Sequence, residues 1–127
     1  MALTNAGRNF IAQAIINDAS PSFFTNALAY LGVGDSNTIF NAAQTDLQAA
    51  SNKLRKAMDA TFPTRATNEI TFQSTFGTSE ANFTWNEWGA FNAAAAGTML
   101  NRKVESLGTK TAAQSWQLNV TITVVAA

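Results

Sequence analysis

The chain has 127 residues, of which 46% are hydrophobic and 13% charged, and its eight basic residues balance its eight acidic ones. A net charge of zero gives no electrostatic steering towards nucleic acid or an anionic membrane surface, and no apolar run approaches the ~18 residues of a membrane helix. The chain has no cysteine and no histidine, which excludes disulfides, thiolate chemistry and the commonest general base. We therefore expect no metal, no cofactor, and neither nucleic acid nor a membrane as partner.

The first predicted element is a helix over residues 4–18. The side-chain oxygen of Thr4 or Asn5 can cap its N-terminus, and an apolar stripe follows at three- and four-residue steps. A proline soon after residue 18 ends the helical segment, because proline cannot continue a helix. The stripe either packs on the rest of the domain or docks on a neighbouring protein, so Phe10 and Ile11 are candidate interface residues.

The rest of the chain has the pattern of β-structure. A short apolar segment closed by glycines, 26–34, is the first strand, and a polar, alanine-rich loop follows at 35–52. Apolar residues then alternate with period two, which is typical of half-buried strands, in five segments: 54–62, 70–76, 83–91, 99–106 and 116–124. The pattern predicts an α+β, mainly β fold in which the N-terminal helix precedes an antiparallel β-sandwich or open barrel of about six strands. We expect a single domain over residues 1–127.

One predicted strand places a carboxylate within an aromatic row. With strict alternation Glu87 shares a face with Phe83, Trp85 and Phe91, where a lone charge costs several kcal/mol unless it is paired or protonated. Glu87 is therefore either a catalytic acid or base, or one half of an ion pair. Glycosidases need a second carboxylate about 5–10 Å away, and the other acidic residues lie in segments without a cleft pattern, which disfavours catalysis.

Arg102 on the following strand is the predicted partner of Glu87. The two strands are joined by a hairpin loop at 92–98, and a register that matches their apolar faces puts Glu87 directly opposite Arg102. The same register turns Arg102 and Val104 towards the core. We predict a buried or half-buried structural ion pair, which could be bidentate; Arg55 is the alternative partner.

Trp88 is the third candidate interface residue. In the same alternation it points away from the face that carries Trp85, and therefore away from the predicted core. Tryptophan is enriched where proteins contact one another, so we expect Trp88 to touch a partner. Trp85 and Trp116 could stack on sugars, but their positions on apolar faces favour the core.

Several motifs occur in an order that resembles small structural proteins of tailed bacteriophages: Leu3-Thr-Asn-Ala-Gly-Arg8, Tyr30-Leu-Gly-Val-Gly-Asp35, Thr45-Asp-Leu47 before Arg55, Asn82-Phe-Thr-Trp-Asn-Glu-Trp-Gly-Ala-Phe91 and Gly97-Thr-Met-Leu-Asn-Arg102. The set is also similar to the N-terminal attachment domain of tail-collar fibre proteins. In that domain a Thr-Asn-Ala-Gly helix start precedes a Val-Gly-Asp/Gly strand end, and a Glu-x-Gly-hydrophobic-Phe motif follows.

The resemblance implies a non-enzymatic virion protein, made in the bacterial host cytoplasm, that acts through contacts with copies of itself and with other virion proteins. Such proteins assemble as symmetric homo-oligomers. Because a fibre would continue into a long shaft beyond residue 127, we expect a tail, baseplate or adaptor subunit. The alternatives are a capsid decoration or head-fibre protein, or a carbohydrate- or receptor-binding module on the virion surface. The charged fraction, roughly half the ~25% of ordinary domains, suits a chain that buries its surface in an assembly.

Overall fold

The computed structural model describes residues 2–126 and confirms the α+β, mainly β fold, with one helix and eight strands in two antiparallel sheets. The large sheet has the strand order β1-β7-β6-β2-β3, and the small sheet has the order β4-β5-β8. The elements are β1 (Ala2–Leu3), α1 (Asn5–Ile16), β2 (Tyr30–Gly34), β3 (Lys53–Ala57), β4 (Thr64–Ala66), β5 (Glu69–Phe76), β6 (Thr84–Phe91), β7 (Met99–Thr109) and β8 (Trp116–Thr123).

Helix α1 lies within the predicted range but ends sooner. Thr4 is its N-cap, and its hydroxyl accepts a hydrogen bond from the Gly7 N–H at 2.8 Å. The helix ends at Ile16 because Asn17 adopts a left-handed conformation with φ of 52°, which is a common helix stop. The proline that was expected to end the helix therefore lies beyond the actual stop. No helix within residues 2–126 is long and apolar enough to cross a membrane.

The first turn of α1 fixes the helix to β7. The Thr4 hydroxyl donates to the Met99 carbonyl at 2.5 Å, and the Thr4 N–H donates to the Leu100 carbonyl at 3.1 Å. Gly7 lies directly against the Leu100 carbonyl, and a Cβ at this position would overlap it. The close approach places the next turn of the helix, with Phe10 and Ile11, beside the small sheet.

The observed strands differ from the predicted ones mainly at their ends. The first strand begins at Tyr30 rather than at residue 26, and the second ends at Ala57 rather than at residue 62. Two short strands, β1 and β4, were not predicted, because two or three residues are too few to show a period-two alternation.

The main core lies between the two sheets. Its aromatic centre is Trp85, whose ring contacts Phe76 of β5 and Trp116 of β8 edge to face, with centroids 4.9 and 5.0 Å apart. The opposite face of the large sheet is also covered, because the 35–52 loop crosses it and buries Leu47 against Phe91. The central strands β2 and β6 of the large sheet are therefore buried on both faces.

A register shift in β6 changes which side chains face the main core. The pairing with β7 is irregular between Trp85 and Glu87, so Trp85 packs between the sheets while Glu87 faces the 35–52 loop. Trp88 consequently joins Trp85 in the main core and is only 7% exposed. The prediction that Trp88 points away from the core is wrong, because strict alternation does not hold across a bulge.

Candidate functional site

Glu87 and Arg102 form an ion pair beneath the 35–52 loop. Arg102 Nε donates to Glu87 Oε1 at 2.7 Å, and both side chains are 0% exposed. The contact uses one guanidinium nitrogen and is therefore not bidentate. Arg55, the alternative partner, instead contacts Asp46, with Nη2 3.1 Å from Oδ1. The structure thus brings together the two residues that the sequence paired.

The register of the pair differs from the predicted one. Glu87 lies opposite Val104, and Arg102 lies opposite Gly89, so the ion pair is diagonal. Gly89 itself lies close to β7, because a Cβ there would overlap the Asn101 carbonyl oxygen. Val104 is partly exposed, which corrects the expectation that it would face the core. The predicted register failed because β6 and β7 contain two irregularities that a constant register ignores.

Both members of the pair hold the 35–52 loop. Glu87 Oε1 accepts from the Gln48 N–H and Oε2 accepts from the Ala49 N–H, each at 2.8 Å. Arg102 Nη1 donates to the Thr38 carbonyl at 2.9 Å. Gly34 leaves the space that the Glu87 carboxylate occupies, because a Cβ there would overlap Oε2. Three donors surround a carboxylate with no open side for a substrate, so this geometry suits a structural anchor.

Arg55 is a second anchor between loops. Its guanidinium lies 3.6 Å above the centroid of the Phe91 ring, a cation–π arrangement. Nη1 donates to the Ala93 and Ala96 carbonyls, both at 2.9 Å, while Nη2 contacts Asp46. The planar fork of arginine is what allows three acceptors to be bound at once. Arg55 therefore joins the 35–52 loop to the hairpin loop that follows β6.

Asp46 completes this second anchor. Partial burial by itself raises the pKa of its carboxyl, but hydrogen bonds from Arg55, the Leu47 N–H and Lys53 outweigh that effect and hold the pKa below its usual value. A pocket of about 240 Å³ lies beside these groups. Its charged lining residues already pair with one another, so little charge is left there for a ligand.

An open apolar groove of about 640 Å³ lies between α1 and the small sheet. Phe10 packs edge to face on Phe24, with centroids 5.0 Å apart, and Ile11 is 40% exposed. The twelve residues that line the groove include no charged residue: Leu3, Phe10, Ile11, Phe23, Phe24, Ile70, Phe72, Leu100, Ile122, Thr123, Val124 and Val125. We call this cavity the α1–β8 groove.

The candidate interface residues thus separate into two environments. Phe10 and Ile11 lie together on one wall of the α1–β8 groove. Trp88 lies within the main core, where its Nε1 donates to Glu105 Oε2 at 3.1 Å. Sequence reasoning missed the other wall of the groove, because it comes from the end of β8, more than a hundred residues along the chain from α1.

Among residues 2–126, no three acidic side chains lie close enough together to hold a metal ion. No protein-family model matches the chain, and comparison with curated proteins gives no significant sequence match.

Proposed function

We propose that the protein is a non-enzymatic structural subunit of a bacteriophage virion, located in a tail, baseplate or adaptor. It acts through assembly contacts with copies of itself and with other virion proteins, after synthesis in the host cytoplasm. The observation that carries the proposal is the uncharged α1–β8 groove, which is open at the surface and lined by Phe10 and Ile11. An open apolar surface of this kind is typical of protein contact sites.

Further apolar side chains at the surface support a role in assembly. Ile15 and Ile16 of α1 are largely exposed, and so are Ile39 of the 35–52 loop and Val125. Single exposed apolar residues are ordinary, but several on one small domain together with a groove suggest that a partner covers them. The low charged fraction of 13% agrees with this proposal.

The rigid body behind the groove also suits a building block. Glu87 and Arg102 fix the 35–52 loop to the large sheet, and Arg55 fixes the same loop to the neighbouring hairpin. A subunit in a symmetric assembly repeats the same contact many times, so a surface of constant shape is an advantage. These anchors provide that shape without an open catalytic group.

A carbohydrate- or receptor-binding module on the virion surface is the second candidate, and a capsid decoration protein is a variant of the first. Phe23, at the rim of the α1–β8 groove, is about half exposed and could stack on a sugar. Small-molecule sites usually add a few well-placed polar groups to their apolar lining. Thr123 is the only lining residue with a polar side chain, so a protein partner fits the groove better.

Light scattering coupled to size-exclusion chromatography tests the proposal. We expect the purified protein to form a homo-oligomer with a defined number of copies, and to co-elute with named virion proteins when mixed with virion extract. The double variant Ile15→Glu/Ile16→Glu keeps the groove and changes only the exposed helix face, so it shows which surface carries the self-association. A stable monomer that does not co-elute with virion proteins, or one that binds a glycan instead, would contradict the proposal.

A further inference from the structure

Three of the four sheet edges carry features that discourage pairing with another chain. β3 carries Lys53, Arg55 and Lys56, and β1 is only two residues long. β4 has three residues, follows Pro63, and has Arg65 at its centre. Charge, proline and short length are the usual ways in which natural sheets protect an edge.

The edge formed by β8 has none of these features. Its eight residues, Trp116–Thr123, include no charge and no proline, and they pair with β5 in an unbroken register. Within residues 2–126, β5 is the only sheet neighbour of β8. The N–H and C=O groups on the outer side of β8 therefore have no strand to pair with among residues 2–126. This unpaired edge is eight residues long.

Cavities flank both ends of this free edge. The α1–β8 groove lies at the C-terminal end, where Ile122 and Val124 face Phe10 and Ile11. A smaller cavity of about 310 Å³ lies at the N-terminal end, between Trp116 and Leu107 of β7. A strand laid beside β8 would thus find backbone partners along its edge and apolar space beneath it.

We propose that β8 accepts an extended, uncharged segment of a partner protein as a fourth strand of the small sheet. Main-chain hydrogen bonds would supply affinity, and alternate apolar side chains would enter the α1–β8 groove. Because no lining residue is charged, a charged side chain of the partner would be buried there without a counter-charge. The solvent-facing residues of β8 are polar and uncharged, so polar side chains suit the outer face of the added strand.

An extended segment of a partner protein fits beside β8 better than the β8 strand of a second copy does. Trp116 packs on Trp85 of β6, so β7 and β1 of the large sheet lie beyond β8, together with α1. Two copies joined by their β8 strands about a two-fold axis would bring these overhanging elements into the same space. A single extended segment avoids that overlap.

The inference deepens the proposed function. It rests on that function in one respect, because it assumes that the partner is a protein. The first test uses a panel of synthetic peptides, Thr-Xaa-Thr-Xaa-Thr-Xaa-Thr with a Gly-Lys-Lys tail, in which Xaa is Val, Ile, Leu or Phe. Titration into ¹⁵N-labelled protein should shift the amide signals of β8 and of the groove residues, and the shifts should saturate. One control peptide has its apolar residues in a single block, and a second carries N-methyl groups at alternate positions. Each should bind at least about tenfold more weakly than the alternating, unmethylated peptides.

Variants of the protein locate the binding site. Val125→Glu and Ile11→Glu each place a carboxylate in the groove at a position that is 74% or 40% exposed, so the fold should be retained, as thermal unfolding would verify. We expect each to weaken peptide binding at least about tenfold. Ile16→Glu is the matched control, since Ile16 is also 74% exposed but lies outside the groove, and its affinity should equal that of the unaltered protein.

The inference is overturned if no peptide of the panel binds, if the block peptide binds equally well, or if the two groove variants bind as tightly as Ile16→Glu. Self-association measured by light scattering is a separate readout. Assembly without peptide binding would remove the β8 site and leave the proposed function standing. Peptide binding by a protein that binds no virion protein would support the β8 site and contradict the proposed function.

Discussion

Glu87 is a single side chain on which three parts of the molecule depend. It lies on β6, pairs with Arg102 of β7, and accepts from two backbone N–H groups of the 35–52 loop. Removing two charges from water costs several kcal/mol per ion, and a buried pair offsets that cost only when its remaining hydrogen bonds are made. The Gln48 and Ala49 N–H groups make those bonds for the carboxylate, whereas Arg102 Nη2 is buried without a hydrogen-bond partner. Both charged groups contact the 35–52 loop in this placement, so we expect the pair to contribute to the specificity of the fold.

Glu87→Ala should lower the free energy of unfolding by about 3–5 kcal/mol, because it leaves the buried Arg102 guanidinium without its counter-charge. Urea unfolding monitored by tryptophan fluorescence measures the change. Lys103→Gln is the control, since it breaks the exposed Lys103–Glu105 pair and should cost less than about 1 kcal/mol. The double variant Glu87→Leu/Arg102→Met should be more stable than Glu87→Ala. Similar small losses for Glu87→Ala and Lys103→Gln would show that the buried pair is not an anchor.

Glu80 should make stability depend on pH in the acid range. Hydrogen bonds from Lys56 Nζ, at 2.9 and 2.7 Å, and from the Gly77 N–H, at 2.7 Å, hold the pKa of Glu80 below its usual value of 4.5. Because the pKa is lower in the folded state than in the unfolded state, the contribution is complete above about pH 4.5 and is lost as the pH falls through the folded-state pKa.

Glu80→Gln should therefore be less stable than the unaltered protein at neutral pH, and this deficit should shrink as the pH falls towards about 3. Urea unfolding of both proteins across that range measures it. Glu69→Gln removes a carboxylate that is in no ion pair among the described residues, and so serves as the control for net charge. A deficit that stays constant with pH would contradict the role assigned to the Lys56–Glu80 pair.

At the scale of elements, alternation predicted the long strands because period-two burial is a property of each strand and its own sequence. It failed at Glu87 and Trp88 because a register shift is a local backbone event that the side-chain pattern does not mark. The Glu87–Arg102 pair could still be predicted, since an arginine reaches a neighbour two positions away. The Gln48 and Ala49 contacts could not be predicted, because almost every residue has a backbone N–H group and the sequence does not indicate which of them bind the carboxylate.

The attachment of α1 to β7 depends on the absence of a side chain at Gly7. Gly7→Ala would raise helix propensity by about 1 kcal/mol, but its Cβ would overlap the Leu100 carbonyl, and a backbone atom cannot rotate away. Overpacking of this kind costs about 1–3 kcal/mol, so we expect a net loss of stability in thermal unfolding. Asn9→Ala is the control, because Asn9 lies on the exposed side of the same helix. This change raises helix propensity without a steric overlap and should be neutral or slightly stabilising. A Gly7→Ala protein more stable than the unaltered one would contradict the docking geometry.

At the scale of the whole molecule, the two sheets are protected unequally. The large sheet has the small sheet on one face and the 35–52 loop on the other, and its strands β6 and β2 each have a neighbour on both sides. The small sheet has one covered face and one free eight-residue edge. Stability should therefore decrease from the centre of the large sheet towards β8, which is where the proposed partner strand binds.

Hydrogen exchange followed by NMR tests this gradient in the protein without bound peptide. Amides in the middle of β6 and β2 should exchange only through global unfolding, since they are paired and buried on both faces. In β8, the amides that point to β5 should be protected while those on the free edge exchange quickly, which gives an alternating pattern from Trp116 to Thr123. The peptide that adds to β8 should slow exchange at the fast positions and leave β6 unchanged. Uniform protection along β8 in a protein that scatters light as a monomer would mean that its outer edge is already satisfied, and the binding edge would then have to be sought elsewhere.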